Sequence, residues 1–159
     1  ITLRNNVDVK KWNAISPSEI RPDGFTPLYE AVYNTITRLD DVSGKDKALV
    51  VITDGGENSS KVTAFQAKQK IEAFQKQGHL MIYLGANQDA WSVGGGLGVS
   101  AKSTATYDMS NMAFSFTSAG AATARYAATR SVAAANFTDV EVAGMTGKTK
   151  TNTDTSKAK

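Results

Sequence analysis

The stretch KALVVITDGGENSS, Lys47 to Ser60, decides the fold that we expect for this chain. Ala48 to Thr53 is a nearly continuous run of apolar and β-branched residues, which is typical of a strand covered on both faces in a parallel sheet. The run ends at Asp54, and Gly55 and Gly56 allow a sharp turn directly after it. Ligands bind beyond the carboxyl ends of strands in open α/β sheets, so Asp54 is a candidate site residue. Capping of the turn is the alternative role for Asp54.

Length and composition are those of one ordinary globular domain. The chain has 159 residues, of which 41% are hydrophobic and 21% are charged, enough for a single sizeable core. It has no cysteine, which excludes disulfides and thiolate-bound metals. No apolar stretch approaches the roughly 20 residues that a membrane span needs, and no signal peptide is visible.

The net charge of +3 is concentrated at the end of the chain. Met145 to Lys159 contains four lysines and one aspartate, so this segment carries the whole +3 and the remaining body is formally neutral. A neutral body has no basic surface for phosphates, so we expect no specific nucleic-acid binding. The segment is polar and lacks apolar periodicity. We therefore predict a folded domain over residues 1–144 and a disordered, solubilising tail over 145–159.

Two elements are predicted before the central strand. A hairpin of two half-buried strands is expected first, with its apolar positions alternating with polar ones at Ile1, Leu3, Val7 and Val9. A helix follows, with an apolar stripe at Leu28, Val32, Ile36 and Leu39. Thr26 fits the N-cap of this helix and Pro27 its first position, so capping is one role for Thr26.

A second helix and a second buried strand are predicted after Asp54. Thr63 and Gln66 form a candidate capping box, the apolar stripe that follows belongs to the core, and Gly78 ends the helix. The strand is expected over His79 to Leu84, which puts the only histidine at the end away from ligands, in a structural or solvated role. The segment GANQD, Gly85 to Asp89, then places polar side chains at the same edge as Asp54.

Asn87 and Asp89 are consequently candidates for a binding rim at that edge, with helix capping as the alternative role. The glycine-rich Gly94 to Gly98 is not interpreted as a phosphate loop, because it does not connect a strand to a helix and no Gly-Lys-Ser or Gly-Lys-Thr directly follows it. Three further elements are expected: a short strand over Lys102 to Tyr107, a helix of small residues from Ser110 to Arg130, and a last strand or contact over Phe137 to Val142.

Three segments together resemble a von Willebrand factor type A domain of the bacterial or bacteriophage kind. They are PDGFTPLYEAV (Pro22 to Val32), ALVVITDGGEN (Ala48 to Asn58) and IYLGANQDA (Ile82 to Ala90), and the similarity in order and spacing covers roughly Ile1 to Arg130. The resemblance implies a three-layer, Rossmann-like α/β fold with a mostly parallel sheet and helices on both faces. It also implies a metal-ion-dependent adhesion site at the carboxyl edge of the sheet.

The family's adhesion site predicts a role for several residues of this chain. Thr26 and Asp54 match metal ligands, and the cofactor implied is Mg²⁺, which prefers hard oxygen ligands and accepts a carboxylate from a protein partner. The loops around these ligands are expected to be shaped by Gly24, Gly55 and Gly56. The partner-binding rim is expected to comprise Asn58, Asn87 and Asp89.

The family also has an Asp-x-Ser-x-Ser loop after a first central strand, and neither that loop nor the strand and helix around it is found in this sequence. We therefore expect the chain to be the carboxyl-terminal part of a larger protein, with the first strand supplied by another segment or chain. A domain that has lost metal binding is the alternative. The sequence does not identify the compartment, and the expected location is the cytoplasm or a virus particle.

The function expected from these features is non-enzymatic. The chain would be an adhesion-type module that binds a protein partner through a divalent metal at the carboxyl edge. A metal-free structural component of an assembly, such as a phage particle, is the alternative within the same class. A metal-dependent hydrolase using Asp54 ranks lower, because the sequence lacks convergent acid, base and nucleophile partners for it.

Overall fold

The chain forms an α/β fold built on a parallel sheet. A computed structural model describes Arg4 and residues 7–20, 24–44, 46–86 and 89–147. The sheet has the order β1-β2-β3, and both neighbouring pairs are parallel. Its strands are β1 (Ala48–Thr53), β2 (Leu80–Ala86) and β3 (Thr104–Tyr107). The helices of the described residues are α1 (Leu28–Asp40), α2 (Ala64–Lys76), α3 (Ala90–Gly96), α4 (Met112–Thr129) and α5 (Asp139–Met145), with 3-10 helices at Val9–Lys11, Pro17–Glu19, Ala101–Ser103, Met109–Asn111 and Ala133–Ala135.

Helices cover both faces of the sheet, so the architecture has three layers. On one face, α1, α2 and α3 bury a cluster that includes Ile36, Phe74 and Tyr83. On the other face, α4 and α5 bury a cluster that includes Ile82 and Met145. Every residue of β2 is buried, as expected for a central strand of a parallel sheet. None of the described helices is long and apolar enough to cross a lipid bilayer.

The two helices that flank β1 form where the sequence predicts them. In α1 the predicted stripe is buried at Leu28, Val32 and Ile36. In α2 the predicted capping box is present, because Thr63 and Gln66 each accept a hydrogen bond from the other residue's backbone amide. Gly78 follows α2 with φ of +85°, a left-handed conformation that glycine adopts at little cost. Local signals therefore determine this part of the fold.

The predicted hairpin at the start of the chain is wrong in its described part. Val7 and Val9 are exposed, and Val9–Lys11 is a 3-10 helix instead of a strand. The physical reason is local, since the Asp8 carboxylate accepts a hydrogen bond from the Lys10 amide at 2.9 Å and so stabilises the turn. Ile1 and Leu3 lie outside the described residues.

The end of the folded body also differs from the prediction. Phe137 to Val142 was expected as a last strand or contact, but no strand forms there; α5 begins at Asp139, with a capping box between Thr138 and Glu141. Met145, which we assigned to the tail, is fully buried at the end of α5, so the folded body extends beyond residue 144. The capping signal was present in the sequence and outweighs the short β-branched run. Residues 148–159 of the predicted tail lie outside the described residues.

The glycine-rich segment belongs to a helix that packs closely on the sheet. Gly94 to Gly96 form the second half of α3, in keeping with the rejection of a phosphate loop. A Cβ on Gly94 would lie 3.0 Å from side-chain atoms of Thr104 in β3. Gly94 therefore permits the close approach of α3 to the sheet, which explains its position without a ligand.

Candidate functional site

The turn after β1 leaves the Asp54 carboxylate exposed at the carboxyl edge of the sheet. The turn is closed by the preceding residue, because the Thr53 hydroxyl donates a hydrogen bond to the Gly55 carbonyl at 2.8 Å and accepts one from the Gly55 amide at 3.2 Å. No ion pair within the described part of the chain includes Asp54. The capping role considered for Asp54 is thus filled by Thr53, and the Asp54 carboxylate faces solvent.

Two reciprocal hydrogen bonds bring the loop before α1 to the loop after β1. The Thr26 amide donates to Asn58 Oδ1 at 2.8 Å, and the Asn58 amide donates to the Thr26 carbonyl at 3.2 Å. The Thr26 hydroxyl is held beside the Gly55 backbone, 3.0 Å from the position that a Cβ on Gly55 would take. The two predicted metal ligands, Thr26 and Asp54, are therefore on adjoining loops, and the lack of a side chain at Gly55 allows Thr26 to lie close to the turn after Asp54.

The glycines and rim residues named from the sequence have different roles in this geometry. Gly24 has φ of +83°, so its loop before Thr26 uses a conformation that favours glycine, whereas Gly56 has open space where a side chain would be. The Asn58 side-chain oxygen is already used by Thr26. Asp89 is exposed and caps α3 by accepting a hydrogen bond from the Ser92 amide at 3.1 Å. Asn87 lies outside the described residues.

Thr26 does not cap α1, which corrects the capping role predicted for it. Pro27 occupies the N-cap position, and no side chain of that residue or of Thr26 bonds to the first amides of the helix. The loop after β1 supplies these bonds: Glu57 Oε2 accepts from the Tyr29 amide at 2.9 Å and Ser60 Oγ accepts from the Glu30 amide at 3.0 Å. The start of α1 is therefore capped by a segment 28 to 30 residues further along the chain.

Glu57 is the central residue of this cap, and the sequence analysis missed it. Burial by itself would raise the pKa of Glu57, but hydrogen bonds from the Ser60 hydroxyl and from the amides of Ser60, Tyr29 and Ser59 lower it to about 2. The ionised carboxylate also lies at a helix N-terminus, which favours negative charge. A signal existed, since parallel topology brings the loop after a strand to the same edge as the N-terminus of the preceding helix.

The charge of Asp54 acts across the carboxyl edge. Burial is the larger cause of the raised pKa of the Tyr107 phenol, and the negative charge of Asp54 is the second cause. Tyr107 ends β3 and Asp54 follows β1, so both groups lie at the carboxyl edge of the sheet. An exposed carboxylate with no ion-pair partner among the described residues is available to bind a cation or a basic group of another molecule.

The donor set suits a hard cation but is small. Thr26 and Asp54 offer a neutral hydroxyl and a carboxylate, the oxygen ligands that Mg²⁺ uses. The described residues contain no group of three or more His, Cys, Asp or Glu side chains that could hold a metal ion. Two ligands leave most of an octahedral shell to water or to groups from outside the described residues.

A groove runs from this site along the outer edge of β1. It has a volume of about 370 Å³ and lies between α1 and the strand, with Leu28, Val32 and Val51 in its wall. Thr26 and Thr53 line its end at the carboxyl edge. β1 is the first strand of the described sheet, so the backbone groups on its outer side have no strand partner there.

Comparisons of this chain with protein-family models, with curated proteins and with solved structures give no match.

Proposed function

We propose that this chain is a protein-binding module of the von Willebrand factor type A kind, which uses a divalent cation at the carboxyl edge of its sheet. Thr26 and Asp54 would be the cation ligands from this chain. The single observation that carries the proposal is the pair of hydrogen bonds between Thr26 and Asn58, which holds the Thr26 hydroxyl against Gly55. This contact joins two loops that lie 32 residues apart in the sequence and leaves the Asp54 carboxylate exposed beside them.

The chemistry of the two ligands supports Mg²⁺ in preference to softer metals. Both are oxygen donors, and neither cysteine nor a nearby histidine is present to favour zinc, since His79 is buried at the opposite end of β2. When bound, Mg²⁺ would supply a positive charge that accepts a carboxylate from a partner protein. The neutral Thr26 hydroxyl adds no negative charge of its own, so the site retains its attraction for an anionic group.

The groove along β1 supports a second contact, with a strand from another segment or another chain. An added strand that runs parallel to β1 would pair with its outer backbone groups and cover Leu49 and Val51. Its carboxyl end would then lie beside Thr26, because the groove ends there. Such a strand could provide the further oxygen ligands that the described residues lack.

One observation favours a metal-free structural module as the second candidate. The two loops are held together without a cation, because Asn58 binds Thr26 and Glu57 caps α1. A module of this kind would still bind a partner at the carboxyl edge or along β1, and it would be indifferent to chelators. Metal titration separates the two candidates.

The test is a calorimetric titration with Mg²⁺, together with thermal melting, on the wild type, on Asp54→Ala and on Asp41→Ala. Asp41 is a matched control because it is also exposed but follows α1 at the opposite edge. We expect wild type and Asp41→Ala to bind Mg²⁺ and to melt at higher temperature with it, whereas Asp54→Ala does neither. Equal responses of all three proteins, or no response from any, would contradict the metal site and favour the metal-free module.

A further inference from the structure

Large apolar side chains are exposed at the start of every helix that begins at the carboxyl edge. Phe25 precedes α1 and is 71% exposed, and Phe65 is the second residue of α2 and is 67% exposed. Trp91 and Met112 occupy the starts of α3 and α4 and are also exposed. We define the apolar rim as these four side chains together with two exposed neighbours near the start of α4. Its members are Phe25, Phe65, Trp91, Met109, Met112 and Phe116.

The topology brings the members of the apolar rim to one edge. In a parallel sheet each helix that follows a strand starts near that strand's carboxyl end, which applies to α2, α3 and α4. The start of α1 is at the same edge, as the hydrogen bond from Tyr29 to Glu57 demonstrates. Phe116 remains close to the sheet, since its ring centroid is 6.3 Å from that of Tyr107 at the end of β3.

The side chains of the apolar rim lie outside the buried core of the domain. Its side chains remain exposed while smaller residues such as Ala67, Ala90 and Ala122 fill the core. The opposite edge is different, because the exposed large apolar residues of its described loops and helix starts are Val42 and Val140. Aromatic and methionine side chains are enriched in protein interfaces, and exposed apolar patches commonly mark them.

Charge at the carboxyl edge indicates what kind of partner fits. The described segments that form this edge, 24–30, 54–65, 89–92 and 107–116, contain one basic residue, Lys61. The same segments contain five carboxylates: Glu30, Asp54, Glu57, Asp89 and Asp108. Asp89 and Asp108 are exposed and lie within two residues of Trp91 and Met109. Acidic groups therefore alternate with apolar ones along the rim.

The opposite edge has a nearly balanced charge. Its described segments contain five basic side chains against four acidic ones: Arg38, Lys47, Lys76, Lys102 and Arg130 against Asp40, Asp41, Asp46 and Asp139. Negative charge is thus concentrated at the aromatic carboxyl edge, in contrast to the nearly balanced amino edge. An approaching basic partner would be oriented toward the apolar rim by this distribution.

We propose that the apolar rim is a docking surface for a partner protein that presents lysine or arginine side chains among apolar ones. The apolar groups of the partner would pack on Phe25, Phe65 and Trp91, and its cations would meet Asp89 and Asp108 or lie over the aromatic rings. The proposal rests on the proposed function in one respect, the use of the carboxyl edge for a protein partner. It does not depend on the metal, since a cation at Asp54 leaves Asp89 and Asp108 unchanged.

The test uses peptides of defined composition, with EDTA present to exclude metal-dependent binding. A 14-residue amphipathic helix of leucine and lysine is compared with a peptide in which every lysine is glutamate and with one in which every leucine is serine. Binding is followed by the fluorescence of Trp91 in a Trp12→Phe background, which leaves one tryptophan. We expect the leucine-lysine peptide to bind with a blue shift of Trp91 emission, more weakly as salt rises, and at least tenfold more tightly than either control peptide.

Matched triple variants localise the surface. One triple variant combines Phe25→Ser, Phe65→Ser and Met112→Ser. It should bind the leucine-lysine peptide about tenfold more weakly or worse, since each substitution removes apolar contact area. The control triple variant combines Val9→Ser, Val42→Ser and Val140→Ser, which removes three exposed apolar residues outside the apolar rim. Its affinity for the leucine-lysine peptide should be unchanged. Unaltered melting curves of both triple variants confirm that the changes are confined to the surface.

Equal binding of the glutamate peptide, no binding of any peptide, or equal losses in both triple variants would overturn the proposal. The outcome is independent of the Mg²⁺ titration. A failed titration together with successful peptide binding would reject the metal site and retain the apolar rim, and the reverse result would reject the apolar rim alone.

Discussion

The two outer strands of the sheet differ in how well the rest of the chain covers them. β3 has only four residues, yet Thr104, Ala105 and Tyr107 are almost completely buried. β1 has six residues of higher β-propensity, yet its burial is partial and Ile52 is 42% exposed. Length and propensity therefore do not decide which strand is buried.

The difference follows from what comes later in the chain. α5 lies alongside β3 and is tied to both ends of it, because the Phe137 amide donates to the Lys102 carbonyl at 2.9 Å and the Asp108 amide donates to the Met145 carbonyl at 3.0 Å. No described segment crosses the outer side of β1 in this way; α1 borders it and leaves a groove. An edge that the chain closes itself serves the core, whereas an edge left open is available to a partner.

The largest predicted effect is a contrast between the residues that cover the two edges. Met145→Ala removes a fully buried side chain behind β3 and should lower the free energy of unfolding by about 2 to 5 kcal/mol. Ile52→Thr alters an exposed side chain of β1 while keeping it β-branched, and should cost less than about 1 kcal/mol. Urea denaturation of both variants provides the measurement.

Similar losses of unfolding free energy for Met145→Ala and Ile52→Thr would contradict the difference between the two edges, because they would mean that β1 is as well covered in solution as β3. A substitution that changes the slope of unfolding free energy against urea concentration also affects the denatured state, whereas one that changes only the midpoint affects stability.

A smaller effect is expected at the cap that fixes β1 to α1. Glu57→Gln removes a charged acceptor from the start of α1 and should lower stability by about 1 to 2 kcal/mol at neutral pH. Glu72→Gln is the control, since Glu72 is exposed on α2 and pairs only loosely with Lys68 at 3.9 Å, so its loss should cost less than about 0.5 kcal/mol. Amide hydrogen exchange should accelerate at Tyr29 and Glu30 in the Glu57 variant only.

The pH dependence of this cap has a definite sign. Folding lowers the pKa of Glu57 from its usual 4.5 to about 2, so the stabilisation is fully present above about pH 4.5 and is lost as the pH falls toward 2. The difference in unfolding free energy between wild type and Glu57→Gln should therefore shrink below pH 4.5. A difference that stays constant from pH 7 to pH 3 would show that the charge of Glu57 does not stabilise the cap.

The sequence was informative where the controlling contacts are local. The stripe of α1, the capping box at Thr63 and Gln66, and the buried run of β1 are short-range patterns, and all three appear in the structure. The closeness of Thr26 to the turn after Asp54 was expected from the family resemblance.

Contacts between distant segments account for part of what the sequence analysis missed. The cap of α1 comes from Glu57 and Ser60, which no local pattern around Thr26 and Pro27 reveals. The short apolar run within Phe137 to Val142 resembled a strand, but the ion pair between Arg125 and Glu141 at 2.9 Å and the capping box favour a helix there. The missed cap of α1 thus depends on distant partners, whereas α5 was missed although its capping box is local.

The open edge and the candidate metal site meet at Thr26, and the most direct test of their joint role is paramagnetic broadening by Mn²⁺. Mn²⁺ accepts the same oxygen ligands as Mg²⁺ and broadens nearby amide signals in NMR spectra even when it binds weakly. We predict that substoichiometric Mn²⁺ first broadens the amides of Thr26, Gly55 and Gly56 in the wild type and not in Asp54→Ala. Broadening that begins around Asp40 and Asp41, or that persists unchanged in Asp54→Ala, would contradict a metal site at the carboxyl edge.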